Sequence, residues 1–156
     1  LPEKEFRSLL NGVIVQDRDN MVEDAASFTQ ATHKAPSKTQ VNDLVFANKL
    51  VKHTKSNAIV LAGNGRLISS GMGQTSRVDA LKHAIEKAHA NQLSLKDAVM
   101  ASDAFFPFPD CVELARQEGV TAVIQPGGSI RDRESIDFCN EHNMAMVFTG
   151  IRHFKH

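Results

Sequence analysis

The 156 residues carry 18 Lys+Arg against 18 Asp+Glu, for a formal net charge of +0, and 42% are hydrophobic. That length suits one domain with a real core, and the balanced charge excludes a sequence-wide basic face for nucleic acid. No apolar run approaches the roughly 20 residues of a membrane span, and the opening Leu1-Pro-Glu-Lys-Glu-Phe-Arg7 is too charged for a signal peptide. A start at Leu1 without methionine reads as a fragment or a processed product. Cys111 and Cys139 lie far apart with no C-x-x-C, so the expectation is two reduced, buried thiols and a cytoplasmic location.

Residues 1–10 read as a frayed lead-in, and Asn11-Gly12 as a turn before a strand at Val13-Ile14-Val15. Together 1–37 read as a lead-in strand and loop, with some short helix in 21–37. Ser37 is placed to cap a helix over 38–53, whose apolar stripe of Val41, Leu44, Val45 and Val51 is interrupted by Asn48 and Lys52. Ala58–Ala62 reads as a buried strand, Gly63-Asn64-Gly65 as a turn and Leu67–Ser70 as the returning strand, the one clear hairpin. A glycine link, Gly71-Met-Gly-Gln-Thr-Ser-Arg77, leads into a helix over 76–90 with Val78, Leu81, Ile85 and Ala88 on one face. Val99 and Met100 carry a strand into the Phe/Pro stretch. A helix over 110–118, capped by Asp110 and ended by Gly119, follows. Then come a strand at 121–124, the link Gln125-Pro-Gly-Gly-Ser129, a helix over 131–142, a strand over 144–148 and a tail. Short apolar runs alternating with helices predict an α/β fold, a three-layer sandwich with a mixed sheet.

Ala101–Asp110 is the most unusual stretch. It places three of the nine Phe in four positions, interleaves Pro107 and Pro109, and has Asp103 and Asp110 at its flanks. Each proline fixes its own φ and pushes the residue before it into extended geometry. Flat faces held at fixed angles beside acidic groups suit a planar heteroaromatic ligand; the competing reading is a hydrophobic plug closing the core. The links at 71–77, 101–110 and 125–131 all stand where ligands bind in open α/β sheets. Gly71 and Gly73 permit close backbone approach, Arg77 offers a bidentate donor, and Pro126–Ser129 offers backbone N–H groups and a hydroxyl. The first link is neither G-x-G-x-x-G nor a P-loop, and an ordinary turn explains it as well. Lys52-His53 invites a general-base role but fits a solvated polar face better. The seven His include no H-x-x-x-H or H-E-x-x-H, so no metal site is expected. No Gly-x-Ser-x-Gly elbow occurs.

Five motifs stand in this order: Lys55-Ser-Asn-Ala-Ile-Val60, Gly71-Met-Gly-Gln-Thr-Ser-Arg77-Val78, Ala101-Ser-Asp-Ala-Phe-Phe-Pro-Phe108, Val123-Ile-Gln-Pro-Gly-Gly-Ser-Ile-Arg131 and Arg152-His-Phe-Lys-His156. As a set they closely resemble the AICAR transformylase/IMP cyclohydrolase family, over nearly the whole chain and most weakly over 1–40. The resemblance implies that 1–156 is the second, C-terminal subdomain of the transformylase region, with a cytidine-deaminase-like fold. It implies formyl transfer from 10-formyl-tetrahydrofolate, as co-substrate, to the exocyclic amine of AICAR in purine (IMP) biosynthesis, within a cytoplasmic homodimer. By the same resemblance Asn57, Arg77, Phe105 and Arg152 contact AICAR. Asn57 and Arg77 stand beside predicted strand ends, where side chains reach a cleft, and are expected to serve the nucleotide rather than the fold. Val78, Asp110, Ser129 and Ile130 contact the folate. The family's catalytic Lys-His pair lies upstream, as does the cyclohydrolase domain, so Lys52-His53 is given no catalytic role and the chain alone holds part of a site. Pro109 departs from a position that is often basic in the family, which alters the folate rim. The alternative is a stand-alone nucleotide- or folate-binding domain without catalysis. A zinc deaminase lacks its H-x-E and P-C-x-x-C elements here.

Overall fold

Alternate residues of the central strands face opposite layers, as the period of two requires. The structure is a computed structural model that describes residues 3–155; Leu1 and Pro2 of the lead-in and His156 of the tail motif lie outside the described residues. Strands β1 (Lys4–Leu9), β2 (Gly12–Asp17), β3 (Thr29–Gln30), β4 (Ile59–Gly63), β5 (Arg66–Gly71), β6 (Val99–Ser102), β7 (Ala122–Gln125) and β8 (Ala145–Phe148) accompany helices α1 (Lys38–Lys52), α2 (Arg77–Ala90), α3 (Asp110–Gln117) and α4 (Asp132–Glu141). A six-stranded sheet runs in the order β3-β8-β7-β6-β4-β5. The β6–β7 and β7–β8 pairs are parallel and the remaining pairs antiparallel.

Ile59, Leu61, Met100, Val123 and Met146 face α2, α3 and α4, while Val60, Val99, Ile124 and Val147 face α1. The α1 side also carries Ala58, Ala62, Ala101, Ala122 and Ala145, whose small side chains let one helix sit close to the sheet. The expected three-layer α/β sandwich with a mixed sheet is what forms. Helix α1 starts at a capping box, in which the Gln40 N–H donates to Ser37 Oγ at 3.2 Å and the Ser37 N–H donates to Gln40 Oε1 at 2.8 Å. Among the described residues, no helix is long and apolar enough to cross a membrane.

Two local expectations are corrected. Residues 4–9 are not frayed; β1 pairs with β2 through Leu9↔Gly12 to Lys4↔Asp17, a second hairpin. Its side chains are almost all exposed, so no buried face marks it in the sequence. Asp110 does not cap α3 either. Pro109 occupies the cap position, and Asp110 Oδ1 accepts its neighbour Cys111's N–H at 2.8 Å.

Cys111 and Cys139 are fully buried and free. Burial pushes the Cys139 thiol up to about 12. Burial, reinforced by Asp110, pushes Cys111 upward as well. Because the thiolate is the reactive species, neither should react with a disulfide reagent at pH 8 in the folded chain, and both should react in denaturant. Rapid native labelling of either would contradict the burial.

Candidate functional site

The start of β4 pairs with the ends of β5 and β6, at Ile59↔Gly71 and Ile59↔Ser102. Since β7 and β8 run parallel to β6, their C-terminal ends lie at this same end of the sheet. All the motif loops therefore gather at the place where open α/β sheets bind ligands. The tail crosses that end. Thr149 and Gly150 N–H donate to the Gln125 and Pro126 carbonyls, each at 3.0 Å. Further on, the His153 N–H donates to the Asp103 carbonyl at 3.0 Å, and the Ser56 N–H donates to the Lys155 carbonyl at 2.8 Å.

Arg77 opens α2, behind the cap residue Ser76, whose Oγ accepts the Asp79 N–H at 3.1 Å. Its Nη2 lies 3.4 Å from Asp103 Oδ1, with side-chain exposures of 13% and 0%. The pair is ionic rather than hydrogen-bonded: Nε and Nη2 of Arg77 and both carboxylate oxygens of Asp103 are buried without a hydrogen-bond partner among the described residues. Burial draws the Arg77 guanidinium below its usual range, Asp103 opposes that, and the nearby positive charge of Arg152 adds to the lowering. Arg77 therefore serves the fold as well as any ligand, which corrects the expectation that it serves the ligand alone. Asn57, which follows a cis Ser56–Asn57 peptide bond, donates its side-chain N–H to the Gln74 carbonyl at 3.0 Å and so ties β4 to the 71–77 link.

The Phe/Pro stretch divides between its two readings. Phe106 is the plug, fully buried, with its N–H donating to Gln125 Oε1 at 3.2 Å. Phe105 is half-buried and holds the Arg152 guanidinium 4.3 Å above its ring centroid. Phe108 is exposed beneath Arg131 at 4.6 Å. Such stacking leaves a guanidinium's edge free for an anion. A cleft of 340 Å³ brings together Phe105, Arg152, Ser129 and Ile130, with Pro107, Gly128 and Arg131. Val78 and Asp110 are absent from its lining: Val78 packs on the core behind α2, and Asp110 is spent in the first turn of α3.

At both glycine links the ligand-approach reading gives way to a local structural one. A Cβ on Gly71 would lie 1.8 Å from the Ala80 carbonyl oxygen, so its close approach is to α2 and not to a ligand. The N–H groups of Gly128 and Ser129 are not free for an anion, because Asp132 Oδ2 accepts both, at 2.7 and 3.1 Å. Ser129 Oγ in turn accepts the Arg131 N–H at 3.1 Å.

Lys52 is not on a solvated face. Its side chain is 7% exposed and reaches Asp19 Oδ1 at 3.5 Å and the Met21 carbonyl, whereas His53 is exposed. Asp103, expected as an acidic group beside a planar ligand, is instead the buried partner of Arg77, and no role was expected for Asp19, Glu23 and His153. The one signal for the last three was the interruption of the α1 stripe by Asn48 and Lys52. Among the described residues, no group of three or more His, Cys, Asp or Glu is arranged to hold a metal ion.

The family model described as AICARFT/IMPCHase bienzyme matches residues 1–87. The bifunctional purine biosynthesis protein PurH of Bacteroides thetaiotaomicron is 65% identical over 156 residues, covering 100% of this chain and 31% of that protein. PurH of Aquifex aeolicus is 51% identical over 152 residues, covering 97% of this chain and 30% of that protein. The chain thus spans about a third of the length of these curated relatives. Among solved structures, the dCMP deaminase of cyanophage S-TIM5 superposes with a TM-score of 0.48 at 16% identity, over 64% of this chain and 88% of that one. A diaminohydroxyphosphoribosylaminopyrimidine deaminase/5-amino-6-(5-phosphoribosylamino)uracil reductase from Thermotoga maritima gives 0.46 at 18%, over 71% and 35%.

The family-model match lies in the N-terminal part of this chain, and the identity to the Bacteroides protein extends over residues 1–40, where the motif resemblance is weakest. The reading of the chain as the C-terminal subdomain of the transformylase region is corrected accordingly: the match establishes the family and gives no support to that placement. With residues 1–87 of 156 inside the family match, this chain belongs to the AICARFT/IMPCHase bienzyme family.

Proposed function

We propose that this chain supplies nucleotide- and folate-contacting residues to an enzyme that moves the formyl group of 10-formyl-tetrahydrofolate onto the exocyclic amine of AICAR in purine biosynthesis. The observation that carries this reading is the meeting of Arg152, Phe105 and Arg77 at one end of the sheet. Among the described residues no carboxylate pairs with Arg152, so its guanidinium is available to a phosphate or a carboxamide. The ring of Phe105, with Pro107 and Ile130, offers a planar apolar wall. That wall and the two guanidiniums at the rim fit a pterin ring with an acidic tail, though the cleft is at the small end of the range for ligand sites. Ser129 and Ile130 are therefore kept for the folate. Asn57 keeps its side-chain carbonyl for AICAR. Proton transfer falls to residues outside this chain, because Lys52 is held by Asp19 and His53 is exposed.

In the full-length protein, Arg152→Ala should raise KM for AICAR by a factor matching about 1.5–3 kcal/mol, the range for a hydrogen bond to a charged group. Its melting temperature should barely move. Unchanged kcat/KM for AICAR would overturn the reading. The 156-residue chain alone should give no formyl transfer above background. Robust turnover that is lost in His53→Ala would place the proton carrier here instead. The same reading makes the protein a homodimer, checked by light scattering of the full-length protein.

A further inference from the structure

The two polar residues that break the α1 stripe belong to a buried ionic cluster. Asn48 Nδ2 donates to Glu23 Oε2 at 3.2 Å, and Lys52 Nζ pairs with Asp19 Oδ1 at 3.5 Å. His153 stands between the two carboxylates. Its Nδ1 is 2.6 Å from Asp19 Oδ2 and its Nε2 is 2.8 Å from Glu23 Oε1, the second contact being an ion pair without hydrogen-bond alignment. The side chains of His153 and Glu23 are 1% and 3% exposed. Two carboxylates, one ammonium and the imidazole thus contact one another in one cluster. Buried polar groups persist when they are paired internally.

Neighbouring residues of the tail meet different partners. His153 turns into the cluster, while Arg152 lies over Phe105 and Phe154 lies under Arg77, 5.9 Å from its ring centroid. Backbone bonds to Asp103 and Ser56, with Gln16 Nε2 donating to the Phe154 carbonyl at 2.5 Å, hold the course of the tail. The His153 ring, gripped from two directions, adds a side-chain anchor beside Arg152.

We propose that Glu23 and Asp19, in the connection between β2 and β3, are positioning residues for the substrate site. By clamping His153 they set the direction in which Arg152 is presented. This rests on the reading of Arg152 as a nucleotide contact. A loop that touches no substrate thereby controls substrate affinity, and misplacing a binding group by about 1 Å can cost as much as roughly 100-fold.

The test uses the full-length protein, with AICAR as the probe. Glu23→Gln and His153→Gln should each raise KM for AICAR by roughly tenfold or more, and the double variant should be no worse than the more damaged single. Amide hydrogen exchange at His153 and Lys155 should quicken in both. Asp43→Asn is the control for a merely structural carboxylate: Asp43 is buried and accepts the N–H groups of Asn64 and Gly65 at 3.0 and 2.8 Å, far from the tail. It should lower the melting temperature and leave KM alone. Glu23→Asp, which keeps the charge, should restore part of the affinity, and it stands in should Glu23→Gln fail to fold. Unchanged KM in the Glu23 and His153 variants, with Arg152→Ala still damaging, overturns the positioning role alone. Unchanged KM in Arg152→Ala overturns the reading of the site, and the positioning role with it.

Discussion

Arg77→Met should lower stability by about 3–5 kcal/mol, because it strands Asp103 as an unpaired charge in the interior. The Asp103 side chain is 0% exposed and Arg77 is its ion-pair partner. At roughly 2–4 °C per kcal/mol for a chain of this size, the melting temperature should fall by about 6–20 °C. Arg77→Met combined with Asp103→Asn removes both charges and should recover most of that loss. Nucleotide affinity should stay low in the double variant, because the guanidinium is still missing. Urea denaturation and AICAR titration of the same samples separate the two effects. A loss of less than about 1 kcal/mol in the single variant would mean that the pair behaves like an exposed one.

Gly71→Ala should cost about 3 kcal/mol or more, at the upper end of what overpacking does. The new Cβ would meet the Ala80 carbonyl oxygen at 1.8 Å and its carbon at 2.6 Å. These are backbone atoms inside a helix, so no rotamer change relieves the clash, and α2 must shift away from β5. Arg77 opens that helix, so the shift also carries it away from Asp103 and from the tail. Reduced AICAR affinity should therefore accompany the lower melting temperature. Gly12→Ala is the matched control, since a Cβ there meets nothing within 4 Å; it should stay within about 0.5 kcal/mol of the parent. Near-equal stability of the two variants would show that α2 does not sit against Gly71.

Most of the secondary structure was legible because its signals are local. The Ser37 capping box, the apolar stripe of α2 and the short apolar runs that became β4, β6, β7 and β8 each lie within about a dozen residues of sequence. The β1–β2 hairpin was not legible, because strands with no buried face carry no alternation to read. Of the expected site residues, Phe105, Arg152, Ser129 and Ile130 share one cleft, while Val78 and Asp110 are taken up by packing and by the first turn of α3.

From α1 onward the order of elements, and with it the family, could be read along the chain, since periodicity, caps and motifs are local. How the polar groups are used was set by the folding together of distant segments. The fold spent the Gly128 and Ser129 donors on Asp132, turned Gly71 toward Ala80, and paired Arg77 with Asp103. It also buried Lys52 beside Asp19 and brought His153 to the same carboxylate across 134 positions of sequence. A charged residue looks the same in sequence whether it meets water or a buried counter-charge. Which of the two it meets is settled when distant segments fold together, because desolvation is tolerated only where a partner arrives with the right sign and geometry.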